Sequence, residues 1–313
     1  MSFEKPSTML ISIFLYVWFF SASKQKAKVF PLLYVGMVIV TKGLDIFIFL
    51  DFDSIIIPFT LYAHQAICYD QLIKKNNPYQ QYYSTSYTDN SAARVNAQWA
   101  KNVASKLGIP FSSKKKVLDV ACGTSILGKA FGRYIYGFDT NPQAVKIAQE
   151  NGVKAREGDA EEKWDYPDEY FDVVIASHII EHVVNPDHLV LEAKRVLKKD
   201  GLFIVATPNL AAWFNRILLL LGFQPFFTEV STADKTLGLK FTRTLTPNRS
   251  PLGHLRVFTI GSLKDILELY EFKILKVISA EFLAFPPLLL FLDRIFSHIV
   301  ALASSIIIVG KKK

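Results

Sequence analysis

The sequence predicts an α/β fold, a mostly parallel sheet with helices on both faces, preceded by an apolar N-terminal segment. Three observations carry this. From about residue 116 to 207, short β-branched runs alternate with segments of helical period. The first run passes through an acid into a turn of small residues, Val117-Leu118-Asp119-Val120-Ala121-Cys122-Gly123-Thr124-Ser125. The second run, Tyr134–Phe138, ends in another acid, Asp139.

The first seventy residues differ from the rest. Pro6–Ser23 carries no charge and is long enough for a short membrane span. Val29–Leu50 is a second apolar run, interrupted by Lys42 and Asp45, which can pair at helical i,i+3 spacing. Ser54–Tyr69 is a third uncharged run. Lysines at 24–28 and 74–75 and acids at 51 and 53 flank these runs. By the positive-inside rule they predict three crossings with an exterior N-terminus, or a hairpin of the second and third runs with the first in the interface. Either places the rest of the chain in the cytoplasm. A soluble subdomain of buried helices is the competing reading. A cleaved signal peptide does not fit, because Lys5 is the only basic residue ahead of the first run.

Residues 71–116 read as a helical lead-in. Asn77-Pro78 is a turn signal, and Tyr79, Tyr82, Tyr83 and Tyr87 precede a polar helix over Ser91–Leu107. These tyrosines either fold over a ligand site or pack on the sheet. Strands follow at Lys116–Val120, Tyr134–Asp139, Val153–Glu157, Phe171–Ser177 and Gly201–Thr207, with helices at Ile126–Phe131, Pro142–Asn151 and Asp187–Lys198. Asn141-Pro142 starts a helix and Asn151-Gly152 stops it. After a long stretch, Pro208–Arg256, come a helix at Ser262–Tyr270 and strands at Lys273–Ala280 and Ser305–Val309.

The chain has 313 residues, 50% hydrophobic with 25 Phe and 13 Tyr, and a formal charge of +8. Its mean hydropathy is +0.23, high for a soluble protein, with the excess near the ends. The two cysteines, Cys68 and Cys122, form no disulfide framework and no metal-ligand cluster, which fits a reducing compartment and predicts no metal.

The small residues at 121–125 let a ligand approach the backbone, and amides at the following turn can meet its polar groups. An acid at the tip of the second strand can accept from ribose hydroxyls. A dinucleotide fold shows Gly-x-Gly-x-x-Gly with no acid in this position. Here Asp119 precedes the turn and suits an amine-bearing ligand better than a pyrophosphate.

This pattern resembles the class I S-adenosylmethionine-dependent methyltransferases, whose first motif is close to Val-Leu-Asp-x-Gly-Cys-Gly-Thr-Gly. The resemblance runs from Val117 to Val309 and implies a Rossmann-like, seven-stranded sheet whose last strand inserts antiparallel beside the fifth. Ala121 and Ser125 stand where the family has Gly. S-adenosyl-L-methionine is the implied cofactor. The resemblance carries the first loop over to Asp119, Ala121, Cys122 and Gly123, and the ribose to Asp139 and Thr140. It places the adenine near Asp159 and Ala160, and the methionine end near Ser177 and His178. Ile180-Glu181-His182-Val183, with Leu197-Lys198-Lys199-Asp200-Gly201 and Thr207-Pro208-Asn209, is similar to the branch holding quinone-biosynthesis and other small-molecule methyltransferases.

Methyl transfer needs alignment of the reacting atoms and exclusion of water. An oxygen acceptor also needs a base near neutral pH, for which histidine is suited. His178, His182 and His254 are the candidates, with Glu181 as partner, and His178 is rather placed to shape the cofactor pocket. His182 equally fits a structural residue at a helix terminus. Arg256, in Gly253-His254-Leu255-Arg256, is placed to meet a polar or anionic acceptor or to anchor its loop. Acceptor specificity is expected in two apolar insertions, about 208–256 and 282–303, which suggest a greasy acceptor, a bilayer-facing edge or added core.

A membrane-associated methyltransferase for a lipid-like small molecule, with its catalytic domain in the cytoplasm, is the leading expectation. A methyltransferase for a soluble sugar or metabolite and a non-catalytic cofactor-binding protein are the alternatives. Nucleic acid is not expected as a partner. The fourth strand tip, Ala176-Ser177-His178-Ile179-Ile180, lacks the Asp/Asn-Pro-Pro-Tyr/Phe segment of base methylation, and the lysines are scattered.

Overall fold

The computed structural model describes residues 90–313 apart from 124–126 and 245–248, together with the strands at 8–13, 35–42, 45–52 and 55–62. The chain divides into two compact units, Met1–Asn77 and Pro78–Lys313.

In the first unit, β1 (Thr8–Ile13), β2 (Val35–Lys42), β3 (Asp45–Phe52) and β4 (Ile55–Tyr62) form an antiparallel sheet in sequential order. Over residues 35–62, strands stand where membrane-spanning helices were expected. The run Val29–Leu50 contributes to two paired strands, and Lys42 is the register partner of Asp45 in neighbouring strands rather than its i,i+3 neighbour in a helix. Among the described residues no helix is long and apolar enough to cross a membrane. A run apolar at nearly every position carries no period to tell helix from strand. Here Val, Ile and Phe at successive positions favour the pleated form. Pro58 lies on β4, whose one neighbour among the described strands is β3, so its missing N–H interrupts no second ladder. The lysines at 24–28 and 74–75, Cys68 and Tyr79, Tyr82, Tyr83 and Tyr87 lie outside the described residues.

The second unit runs α1 (Asn90–Leu107), β5 (Ser112–Val120), β6 (Gly132–Asp139), α2 (Pro142–Glu150), β7 (Lys154–Glu157), β8 (Phe171–Ser177), α3 (Pro186–Val196), β9 (Leu197–Pro208), α4 (Trp213–Leu220), α5 (Ile260–Leu269), β10 (Phe272–Ala280), α6 (Pro287–Phe296) and β11 (Ser305–Lys312). Its seven strands order as β10-β11-β9-β8-β5-β6-β7. β5 to β9 are mutually parallel, and β11 inserts antiparallel between β9 and β10. The seven-stranded sheet with its antiparallel last strand thus forms as the sequence implies. The helix expected at Ile126–Phe131 is instead a single 3-10 turn, Leu127–Ala130.

Period-two alternation sends side chains to two cores. Leu118, Val120, Val174, Ala176, Phe203, Val205, Ile306 and Ile308 face α3 and α5. Val117, Val173, Ile175, Ile204, Ala206, Ile307 and Val309 face α1 through Ala100, Val103 and Leu107. The helices start at side-chain caps: Asn141 Oδ1 accepts from the Gln143 amide at 2.9 Å, Asn185 Oδ1 from His188, and Thr259 forms a capping box with Ser262.

The two insertions pack on each other in a separate apolar cluster of Trp213, Phe214, Leu218, Phe226, Phe227, Phe285, Leu289, Leu292 and Phe296. Trp213 stacks on Phe296 with centroids 4.9 Å apart. A buried acid, Asp293, holds the cluster to the sheet. It accepts from Trp213 Nε1 at 2.9 Å, Ser304 Oγ at 2.6 Å and the Phe282 amide at 2.8 Å. Asp293→Ala strands these three donors away from water, so about 3 kcal/mol of stability should be lost. Chemical denaturation checks this; a variant within experimental error of wild type would refute the anchoring role.

Candidate active site at the C-terminal edge of the sheet

β5 to β8 all end on one edge, the position at which open parallel sheets receive ligands. Every residue assigned to the cofactor from sequence lies on this edge or in the loops leaving it. Asp119 is buried near the end of β5. The backbone then turns through Ala121 (φ 49°) and Gly123 (φ 47°), both in the left-handed region. This explains why glycine suits position 121 and why alanine, with its small Cβ, is tolerated at modest strain. The Cys122 amide donates to the Phe138 carbonyl at 2.9 Å, tying the loop to β6. Gly137 allows this approach: a Cβ there would lie 2.8 Å from the Cys122 side chain. Burial, followed by the charges of Asp119 and Asp139, pushes the Cys122 thiol far up, so it stays protonated.

Asp139 ends β6 and organises the loop. Its Oδ2 accepts from the Gly123 amide at 2.9 Å and its Oδ1 from the Asn141 amide at 2.9 Å. Burial raises its carboxyl above the ordinary value, against the opposing pull of the Asn141, Gly123 and Thr140 amides. Two oxygens offer about four acceptor positions, so a ribose hydroxyl can still be accommodated. Thr140 follows, exposed at the same edge. Asp159 Oδ1 accepts from the Glu161 amide at 2.9 Å, shaping the turn after β7, while Ala160 is buried beneath it. The acids, the left-handed turn and the small residues fit a ligand bearing an amine, a ribose and an adenine.

The tip of β8 places Ser177 and His178 together. His178 is left-handed at φ 56°, a strained non-glycine position of the kind that gathers at functional sites. Its amide donates to the Ala206 carbonyl at 2.8 Å, and Trp99 of α1 packs edge-on against its ring at 5.2 Å.

Beyond this tip, the fold brings together three predicted residues, two of them adjacent and the third some seventy positions further along the chain. Ligand-type atoms of Glu181, His182 and His254 lie within 4.8 Å of one another, although spacing alone predicted no metal-ligand cluster. This set can hold a proton in transit or a cation. Glu181 is fully buried. Its Oε1 faces His178 Nδ1 at 3.2 Å, and its Oε2 accepts from Thr207 Oγ1 at 3.0 Å. Burial alone would raise its carboxyl. The hydrogen bond to His178 and the positive potential of the neighbouring imidazoles outweigh this and hold it down at about 2.

His182 Nδ1 lies 3.1 Å from the Gly253 carbonyl, and His254 Nδ1 lies 3.0 Å from the Phe227 carbonyl. A carbonyl only accepts, so Nδ1 carries hydrogen in both rings, and Nε2 of the neutral ring keeps its lone pair. The rings meet edge to face at 4.8 Å. Burial lowers the His182 pKa, so its neutral form prevails at neutral pH, despite the opposing charge of Glu181. Arg256 joins the same loop from the backbone side. Its Nη1 donates to the Val183 carbonyl at 2.7 Å and its amide to the Glu181 carbonyl at 3.2 Å.

Sequence reasoning missed four supporting residues. Glu229 clamps the loop bearing His254 by accepting from the Leu252, Gly253 and His254 amides, the last two at 2.8 and 3.3 Å. Thr207, Trp99 and Phe227 contact the site through Glu181, His178 and His254. Glu229 is one of only two acids in the stretch 208–256, which is the sole local signal it carries.

Comparison with known proteins agrees with this architecture. A family described as a methyltransferase domain matches residues 91–277. Ubiquinone biosynthesis O-methyltransferase of Glaesserella parasuis is 29% identical over 119 residues, 34% of this chain and 50% of that protein. The Pseudomonas syringae enzyme of the same name is 35% identical over 104 residues, covering 30% of this chain and 45% of its own. The chain therefore spans half or less of the length of these relatives. A chain from the complex of the Haloferax volcanii Trm112 methyltransferase activator with its methyltransferase has the same fold, with a TM-score of 0.51, 13% identity, and coverage of 74% of this chain and 97% of that one.

Proposed function

Because this chain belongs to the methyltransferase-domain family, we propose that it methylates a hydroxyl of a lipid-like small molecule, with S-adenosyl-L-methionine as cofactor and His182 as base. The observation that carries the base assignment is the oriented pair of imidazoles beside the ionised Glu181. When bound, the cofactor supplies a methyl carbon already activated by its sulfonium. Asp119 would face its amine, Asp139 its ribose, Asp159 its adenine, and Ser177 and His178 its methionine end. His182 Nε2 accepts the proton that the acceptor hydroxyl gives up, and the Glu181 carboxylate stabilises the resulting imidazolium. The Gly253 carbonyl fixes the ring tautomer. Arg256 positions this loop and meets polar groups of the acceptor.

The lipid-like character of the acceptor is supported by the cluster around Phe214 and Phe226, which reaches the site through Phe227, 6.0 Å from the His254 ring. The oxygen acceptor is supported by the names of the two relatives above. The test is purified protein with methyl-labelled cofactor, offered a lipid extract and a water-soluble extract separately. Label should enter the lipid fraction. Label confined to the soluble pool would overturn the lipid-like acceptor, and no label in either would overturn transfer itself.

A further inference from the structure

We propose that the outer faces of α4 and α6 form a docking surface for an anionic bilayer, on which the second unit lies without crossing it. In α6, Leu289, Leu292 and Phe296 point into the apolar cluster. Leu288, Phe291 and Ile295, at i, i+3 and i+7, point the other way and are exposed, Leu288 by 71% and Phe291 by 60%. A surface helix ordinarily turns a polar face to water; this one is apolar on both. α4 repeats the arrangement. Its Leu218 faces the cluster, while Leu219 and Leu220 are exposed, Leu220 by 85%. Leu221, Phe223 and Phe241 continue the exposed apolar surface, the last two in ring contact at 5.1 Å. Trp213 of α4 stacks on Phe296 of α6 and donates to its Asp293 at 2.9 Å, which holds the two helices together.

Charge selects the occupant. Among the described residues of 208–256 and 282–303, every exposed Lys, Arg, Asp or Glu is a cation: Arg216, Lys240, Arg249, Arg256 and Arg294. The acids there are engaged inward: Glu229 by the loop amides, Asp234 by Arg243, and Asp293 by the cluster. Apolar faces whose own helices carry Arg216 and Arg294 as their exposed charges match the interfacial zone of an anionic membrane. At 1.5 Å per residue, helices of 8 and 10 residues reach about 12 and 15 Å, too short for a hydrocarbon core of about 30 Å. They lie in the interface. Phe227 belongs both to the cluster beneath these helices and to the His254 contact, so a membrane-dissolved acceptor would meet the site from this side. That last link rests on the proposed lipid-like acceptor; the docking itself does not.

The test is sedimentation of the full chain with vesicles of phosphatidylcholine alone or mixed equally with phosphatidylglycerol. Binding should be about tenfold tighter to the mixed vesicles and should fall with salt. The double substitution Leu220→Glu with Phe291→Glu should weaken it a further tenfold or more, with thermal midpoint and cofactor titration unchanged. Three results would overturn the proposal: no vesicle binding, equal binding by the variant, or substitutions that dissociate a dimer without affecting lipid binding. The vesicle assay needs no turnover, so its failure leaves the methyl-transfer reading standing, and the labelling experiment can fail without touching this one.

Discussion

Glu181→Ala should lower stability by about 3 kcal/mol and reduce methyl transfer at least a hundredfold. The carboxylate is fully buried and accepts from Thr207, with His178 Nδ1 on its other oxygen. Its removal leaves a buried hydroxyl without its acceptor and a cavity the size of the side chain, each worth about 1–3 kcal/mol. It also removes the charge that stabilises a protonated His182. Glu181→Gln separates these effects. The amide keeps the volume and an acceptor for Thr207, so most of the stability should return while activity does not.

The pH dependence follows with a definite sign. The Glu181 carboxyl is held at about 2, below its ordinary 4.5, so its stabilisation is present above 4.5 and is lost as pH falls from there towards 2. The depressed His182 acts in the same direction from its ordinary 6.5 downward, because the unfolded chain takes up that proton first. Denaturation midpoints over this range should fall less steeply for Glu181→Gln than for wild type. Equal slopes would remove Glu181 from the account, and an alanine variant with wild-type turnover would remove it from the site.

Asp139→Ala should weaken cofactor binding about 30- to 100-fold, read by calorimetry. The loss has two parts. One is the proposed ribose contact. The other is the shape of the loop, since the two carboxylate oxygens fix the Gly123 and Asn141 amides. Together these account for about 2–3 kcal/mol. Asp139→Asn should recover little. An amide group has one accepting oxygen, and its NH2 would face a donating backbone N–H. Unchanged affinity in both variants would sink the assignment of Asp139.

What was legible in the sequence follows from how local the signal is. The strands from β5 to β11 lie within a few residues of their expected places, because a period of two is written into each and Asn141-Pro142 or Asn151-Gly152 marks where helices begin and end. That Asp119, Asp139 and Asp159 lie on one edge was legible for the same reason: each sits at or just past the end of its own strand. The N-terminal runs were not, because Val35–Lys42 and Asp45–Phe52 are apolar on both faces and carry no period. Nor were α4 and α6, whose hydrophobic side chains point both ways.

Local sequence signals suffice for the parallel α/β skeleton, for the edge at which Asp119, Asp139 and Asp159 lie, and for the family resemblance. These depend on interactions within one strand, one turn or one βα unit. Long-range packing is what sets His254 beside His182 and Glu181, lets Glu229 hold that loop, and makes Asp293 join the two insertions. Those contacts span between 11 and 80 residues of chain. They are chosen by how long loops close over a finished sheet, and no short stretch of residues encodes that closure.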